Sequence, residues 1–357
     1  MKIVNITTDT ITIPLNTTFT TALRSIDSLD NVIVTVTTDT GLKGFGSAAP
    51  APVITGETVS SIIGAIEVIA QVISGMEIED SETVFQHLNS CLIGNNSAKA
   101  AVDMAIYDLL AKSFKVPLYK LLGGSVPEVE TDITISLGTF TKMVRETEQR
   151  LEQGFQIFKI KVGGNPHEDL ERIAAIAGVV GSEGRLRLDA NQGWKPKEAV
   201  YVASELEKWN ISVELMEQPV AAGDFKGLCF VRDNINLPVY ADESVFSPQD
   251  ALKLVKTSAV DGLNIKLMKC GGIYNALKIA AIAETAGLPC MIGSMMECHI
   301  SVTAAAHLAA AKNVICCYDL DAPLFCSRNP ARGGLQYEGP KVWLPEAPGL
   351  GISEVVV

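Results

Sequence analysis

The chain is poor in the residues and runs that announce many common activities. Only four histidines occur in 357 residues, and the eight cysteines form no CxxC pair, so zinc clusters and dithiol redox motifs are not indicated. His87 and His167 lie away from strand ends, and His299 and His307 sit eight apart in an alanine-rich stretch suited to packing or capping. The cysteines, Cys91, Cys229, Cys270, Cys290, Cys298, Cys316, Cys317 and Cys326, stand mostly among apolar neighbours and read as reduced core thiols. Cys298 could either pack or line a pocket. Neither a GxGxxG nor a P-loop is present, which argues against a nucleotide cofactor. No apolar run approaches the ~18 residues of a membrane span, and MKIVNITTDT has no continuous apolar stretch of the signal-peptide kind. A cytoplasmic protein is expected. Basic residues number 29 against 41 acidic ones, and a net charge of −12 disfavours nucleic acid or an anionic membrane as partner.

What is present is a large apolar fraction, 47%, enough for a substantial core with a second domain. Short β-branched runs recur between residues 130 and 320: 133–137, 157–162, 186–189, 213–217, 239–242, 262–265, 289–293 and 314–318. Segments of helical spacing separate them, such as 170–180, 199–209, 251–255 and 273–286, several introduced by Pro, Ser or Asp. Parallel strands need such crossovers, so the pattern predicts a (β/α)8 barrel of the α/β class. Before residue 125 the pattern changes. KIVNITTDTITI and NVIVTVTTDTGLKGFG alternate as antiparallel strands do, and helical stretches follow at 60–73 and 98–113.

Functional residue types fall at the ends of the barrel strands, where loops of this fold converge on one mouth. From Lys161 the steps are 28 residues to Asp189, 28 to Glu217, 25 to Asp242 and 24 to Lys266, one for each successive unit. Any one acid could merely cap a turn; three at matching positions point to a shared site. Three carboxylates without His or Cys suit Mg²⁺, a hard cation that keeps waters and leaves positions for a substrate oxygen. Lys159 and Lys161, two apart on one strand, face the same side. Lys266 enters from the sixth strand, opposite the second. A neighbouring ammonium and a divalent cation both disfavour protonated lysine, so these residues are expected to have depressed pKa values and to act as bases. Lys269, in the loop that follows, has no assigned role.

Together KIKVG, DANQGW, EQP, ADES and NIKLMKCGG resemble the enolase superfamily, in its muconate-lactonizing subgroup. Asp319 and Asp321 of YDLDAPLF resemble the Asp-x-Asp of the dipeptide epimerases, although by residue type alone they could cap a turn before Pro323. The resemblance runs from TALRSID and VITGET to PGLGI. It implies Asp189, Glu217 and Asp242 as Mg²⁺ ligands, Lys161 and Lys266 as the two acid/base catalysts with Lys159 assisting, and Asp321, supported by Asp319, as the receiver of a dipeptide's α-ammonium. One lysine would remove the α-proton of the C-terminal residue, Mg²⁺ would hold the enediolate, and the other lysine would return a proton on the opposite face. It also implies a capping domain over residues 1–125, a barrel over 126–326 and a returning tail over 327–357. Loops near 17–26 and 52–57 would close over the mouth.

Arg24 in TALRSID and the VITG segment resemble the Ala-Glu dipeptide epimerases. Its guanidinium could grip a substrate carboxylate, or simply be solvated. Ser47 stands where many relatives carry Glu, a departure that bears on loop anchoring or specificity. The expected substrate is thus a small-molecule dipeptide, with Ala-Glu favoured and hydrophobic or cationic dipeptides as alternatives. Other activities of the subgroup remain: N-succinylamino acid racemase, o-succinylbenzoate synthase and cycloisomerase. A homo-oligomer is expected from the resemblance.

Overall fold

The computed structural model describes residues 1–356. Strands β1 (Ile3–Thr20) and β2 (Ser25–Thr38) form a long antiparallel hairpin, to which β3 (Lys43–Ala48) adds. The loop expected near 17–26 is shorter than that. Phe19 pairs with Ile26 and Thr20 with Ser25, because the threonine-rich, aromatic run continues the ladder and leaves only residues 21–24 as the tip. Helices α1 (Val59–Ile73), α2 (Ser81–Ser90) and α3 (Asn96–Ser113) follow. Every residue of α3 from Ser97 to Ala111 is buried. Strand β3 lies against it by virtue of two glycines: a Cβ at Gly44 or Gly46 would stand 2.1 or 1.9 Å from the carbonyl oxygens of Ala105 and Ala101.

A one-turn helix α4 (Leu118–Leu121) and the short strand β4 (Glu128–Glu130) lead into the barrel. Its strands are β5 (Ile133–Ile135), β6 (Ile157–Lys161), β7 (Arg185–Asp189), β8 (Leu215–Glu217), β9 (Val239–Ala241), β10 (Gly262–Ile265), β11 (Cys290–Ile292) and β12 (Ile315–Tyr318). They form one parallel sheet in sequential order, and the Asp132 N–H donates to the Tyr318 carbonyl at 3.0 Å to join its two edges. Crossover helices are α5 (Phe140–Glu152), α6 (Pro166–Val180), α7 (Pro196–Lys208), α8 (Phe225–Asn234), α9 (Pro248–Thr257), α11 (Ile273–Thr285) and α12 (His299–Ala311). A further one-turn helix, α10 (Leu267–Cys270), precedes α11, so Lys269 is helical and not in a loop. Pro opens α6, α7 and α9, and the side chains of Asn165, Asp224 and Ser247 cap α6, α8 and α9.

After β12 come a 3₁₀ turn (Ala322–Phe325) and four short strands, β13 (Ala331–Gly333), β14 (Gln336–Glu338), β15 (Lys341–Trp343) and β16 (Ile352–Val355). Strand β13 pairs with β16, and β14–β15 extends onto β4. The tail is hydrogen-bonded to the N-terminal part, Ser327 N–H to the Pro14 carbonyl and Leu350 N–H to the Asp108 carboxylate. Among the described residues no helix is long and apolar enough to cross a membrane.

The histidines of α12 do pack. His307 is fully buried, stacks on Tyr119 and accepts the Tyr119 N–H at its Nδ1 (3.0 Å). Burial pushes its pKa down to about 3. An exposed imidazole in the unfolded chain titrates near 6.5, so the stability this group contributes is complete above about pH 6.5 and is lost as pH falls toward 3. His307→Asn keeps an acceptor and removes the titration. The unfolding free energy of the native protein relative to this variant should fall by about 1.4 kcal/mol per pH unit between roughly pH 6 and 4. A difference independent of pH would contradict a buried neutral ring. Cys298 is also buried, its thiol 3.3 Å from the Ser47 hydroxyl, and belongs to packing rather than to the mouth.

Candidate active site

Parallel pairing in register sets three functional residues side by side: Lys161 opposes Asp189, and Asp189 opposes Glu217. Asp242 follows the last residue of β9 and Lys266 the last of β10. Alternation along β6 sends Phe158 and Ile160 to one face and Lys159 and Lys161 to the other, into the barrel mouth. All of these ionisable side chains are buried.

The carboxylates of Asp189, Glu217 and Asp242 bring ligand oxygens within 4.8 Å of one another. Ammonium groups surround them. Lys159 Nζ stands 3.1 Å from Asp189, 2.8 Å from Glu217 and 2.7 Å from Asp319. Lys161 Nζ is 2.5 Å from Asp189, and Lys266 Nζ is 2.7 Å from Asp242 and 4.0 Å from Glu217. Glu217 Oε2 accepts no hydrogen bond, although Lys159 Nζ stands 2.8 Å from it as an ion pair. A buried all-oxygen donor set, one oxygen of which accepts no hydrogen bond, fits a hard divalent cation, and Mg²⁺ would be held by Asp189, Glu217 and Asp242.

Burial opposes ionisation of Asp189 and Asp242, yet the lysines outweigh it and hold both below the usual carboxylate range: Lys159, Lys161 and Lys266 for Asp189, and Lys266, Lys269 and Lys159 for Asp242. Glu217 goes the other way, to about 7, through burial and the neighbouring Asp189. The depressed pKa expected of the lysines does not hold for Lys159 and Lys266 in the protein alone. Burial lowers both, but Asp189, Asp319, Glu217 and Asp132 raise Lys159, and Asp242, Glu217 and Asp189 raise Lys266. Without a bound cation these carboxylates outweigh the effect of the neighbouring ammonium.

Several supporting residues escaped the sequence reading. Lys269 Nζ is 2.6 Å from Asp242 Oδ1 and also donates to the backbone carbonyls of Asp242 and Asn264, fixing the ligand from behind. Asn264 donates to Glu217 at 2.7 Å. Asn191 accepts from Lys161 and donates to Glu243, whose pKa burial and Asp242 push up to about 8. Gln218 accepts the N–H groups of Asp242 and Ser244. The one available signal was the amide residues within two positions after Asp189 and Glu217. Asn191 and Gln218 adopt φ of 41° and 36°, left-handed values that Asn tolerates best.

Above the triad lies a cavity of about 50 Å³ lined by Lys161, Lys266, Asp319 and Asp321 together with Phe19, Leu23, Arg24 and Ile54 from the N-terminal part and Met295 and Met296 from the seventh strand's loop. Larger cavities of about 770 and 470 Å³ lie away from these groups. The hairpin is moored to the barrel where Thr20 N–H donates to the Ser136 hydroxyl (2.7 Å) and Leu137 N–H to the Thr20 carbonyl (2.9 Å). Asp319 accepts from Lys159, while Asp321 accepts the Thr134 N–H at 2.6 Å. Burial and Asp319 push the Asp321 pKa up to about 7. Arg24 is partly buried and, among the described residues, forms no ion pair, which leaves a cation facing the cavity without a carboxylate. Every residue expected at the site is therefore brought to one mouth, with Arg24 at its rim.

Comparison with known proteins agrees with this arrangement. Residues 3–123 match the model of the mandelate racemase/muconate lactonizing enzyme N-terminal domain, and residues 142–354 that of the enolase C-terminal domain-like family. An L-Ala-D/L-Glu epimerase of Clostridium acetobutylicum is 50% identical, with 97% of each chain covered. The solved structure of a substrate-liganded complex of the L-Ala-D/L-Glu epimerase from Bacillus subtilis superposes with a TM-score of 0.99 at 45% identity over all of both chains. A dipeptide epimerase from Enterococcus faecalis, complexed with Mg and L-Leu-L-Tyr, gives 0.95 at 44% identity, covering 99% of this chain and 100% of that one. With both parts of the chain matched, and in the same order, this protein belongs to the mandelate racemase/muconate lactonizing enzyme family.

Proposed function

We propose that this protein epimerises dipeptides at the C-terminal residue in a Mg²⁺-dependent reaction, with L-Ala-L-Glu and L-Ala-D-Glu as the favoured pair. The observation that carries the reading is the placement of Lys161 and Lys266 on the second and sixth strands, with the carboxylate triad between them. Two bases on opposite sides of one α-carbon can remove a proton from one face and return one to the other, which inverts the centre. When bound, Mg²⁺ supplies positive charge at the carboxylate oxygens on which negative charge collects as the proton leaves.

Each remaining group then has a task. Lys159 keeps its charge among Asp189, Glu217 and Asp319 and adds electrostatic support. Asp319 and Asp321 offer negative charge to an α-ammonium, which suits a free N-terminus and is of no help to an N-acylated substrate. The hairpin tip at 21–24 and the 52–57 loop, both from a capping unit over residues 1–125, exclude water from the 126–326 barrel, with the 327–357 tail bracing that unit. Arg24, whose side chain forms no ion pair among the described residues, takes the side-chain carboxylate of glutamate.

A second reading rests on the apolar wall of the same cavity. Phe19, Leu23, Ile54, Met295 and Met296 suit hydrophobic side chains. Proton NMR in D₂O with Mg²⁺ and a dipeptide panel separates the two. Loss of the C-terminal α-proton signal with growth of the other diastereomer, fastest on Ala-Glu, supports the first. Fastest exchange on apolar dipeptides keeps the mechanism and discards the substrate, and exchange with none of them removes the epimerase reading.

Arg24→Met should lower kcat/KM for L-Ala-L-Glu roughly 10- to 100-fold, the value of one hydrogen-bonded contact to a charged group. The rate on a Leu-containing dipeptide should change little. Equal losses on both would show that Arg24 shapes the loop and does not read the substrate.

A further inference from the structure

Helix α3 lacks a cap of its own. Its N-cap residue, Asn95, sits in the left-handed region (φ 54°) and makes no side-chain capping bond. The first free N–H groups are taken instead by Glu57, 40 residues upstream. The Glu57 carboxylate, 4% exposed, accepts the Ser97 N–H at 3.1 and 3.0 Å, the Ser97 hydroxyl at 2.7 Å and the Ala98 N–H at 3.3 Å. A carboxylate there satisfies orphan donors and meets the positive end of the helix dipole.

Glu57 also ends the loop that reaches the mouth. Ile54 N–H and Thr55 N–H both donate to the Ala51 carbonyl, at 2.9 and 2.8 Å, and the Glu57 N–H donates to the Thr55 hydroxyl, forming a compact turn. This turn presents Ile54 to the cavity that holds Lys161 and Lys266. On its other side the same helix is fastened to the barrel. Asn96 Nδ2 donates to the Lys269 carbonyl at 2.5 Å, within the one-turn helix that begins directly after Lys266. Asp103, buried, accepts the N–H groups of Ile273 and Tyr274 at the start of α11.

We propose that Glu57 is a positioning residue that fixes the 51–57 turn to the first turn of α3 and, through Asn96, to the segment carrying Lys266. The turn over the substrate and the base beneath it then hang on one helix end, so ordering one orders the other. The proposal rests on the epimerase reading for its kinetic consequence and on the geometry alone for its mechanical one.

Glu57→Gln tests both. The amide keeps one acceptor but loses the charge and sets an NH₂ against N–H donors. Hydrogen–deuterium exchange of the substrate-free protein should quicken at 51–57 and at 267–270 together, with β6 and β7 unchanged. With the preferred dipeptide, KM should rise about 10-fold and kcat fall less than about 3-fold, the size of one lost charged hydrogen bond acting on binding. Exchange that quickens only in the first turn of α3, or a lowered Tm with unchanged KM, would reduce Glu57 to a helix cap and overturn the proposal. If the native protein turns over no dipeptide, the functional reading fails and the exchange pattern still decides this one. Should Glu57→Gln not fold, Ser97→Ala removes one bond of the same cap and must shift exchange at 51–57 in the same direction, or the proposal falls.

Discussion

Lys161→Ala and Lys266→Ala are each expected to abolish interconversion of the dipeptide diastereomers, with losses of at least the 10²- to 10⁴-fold ordinarily contributed by one acid/base group. The two variants should differ in what survives. The lysines come from the second and the sixth strand, and on the proposed reading each would face one side of the α-carbon. A protein with one base left should still exchange the α-proton of the diastereomer that presents it to that base, without inversion. Incubating each pure diastereomer in D₂O with each variant gives four measurements. Two should show exchange, in a crossed pattern, and two should not. Loss of exchange from both diastereomers with both variants would refute a two-base mechanism, and so would retained inversion in either.

A second large effect concerns stability. Lys159 has no exposed surface and lies within 3.1 Å of Asp189, Glu217 and Asp319. Replacing it by methionine keeps much of its volume and leaves three buried carboxylates without their shared counter-charge. Breaking a buried pair in this way costs about 3–5 kcal/mol, and Lys159→Met should be destabilised by that order in denaturant unfolding without divalent ions. Mg²⁺ binding to the folded state should restore part of the loss. The gain in stability on adding Mg²⁺ should therefore exceed that of the native protein. Unchanged stability of the variant would mean that the three carboxylates are neutralised by protonation, and the charge-compensating role of Lys159 would be withdrawn.

The barrel was legible because its strands are short, apolar and β-branched, and β6 to β10 each end at or just before an ionisable residue that would not otherwise sit there. Lys161, Asp189, Glu217, Asp242 and Lys266 could be read as one site from spacing alone, because the first three are paired in register and the other two directly follow the ends of β9 and β10. The hairpin tip was less visible, since TTFTTALRSI mixes strand formers with turn residues and gives no boundary until the Thr20–Ser25 pairing is seen. Strands β13–β16 are three or four residues long, too short to show a period of two. Lys269 was hidden for another reason. In KLMKCGG it looks like a solvated loop lysine, and only the one-turn helix α10 turns it back onto Asp242. The pKa direction of Lys159 depends on how closely Asp189, then Asp319, Glu217 and Asp132, approach its ammonium, and spacing along the chain does not give those distances.

The mooring of the hairpin has a consequence for how this protein can change. Its tip, residues 21–24, is held internally by the Thr21 N–H to Arg24 carbonyl bond and the Thr21 hydroxyl, while the anchors to Ser136 and Leu137 lie just outside it at Thr20. Those four positions carry neither core packing nor any group that moves a proton. If the tip reads the substrate as proposed, part of the substrate range and all of the proton chemistry are inherited on separate stretches of chain, and substitutions at 21–24 can alter the former while the lysines and acids stay as they are.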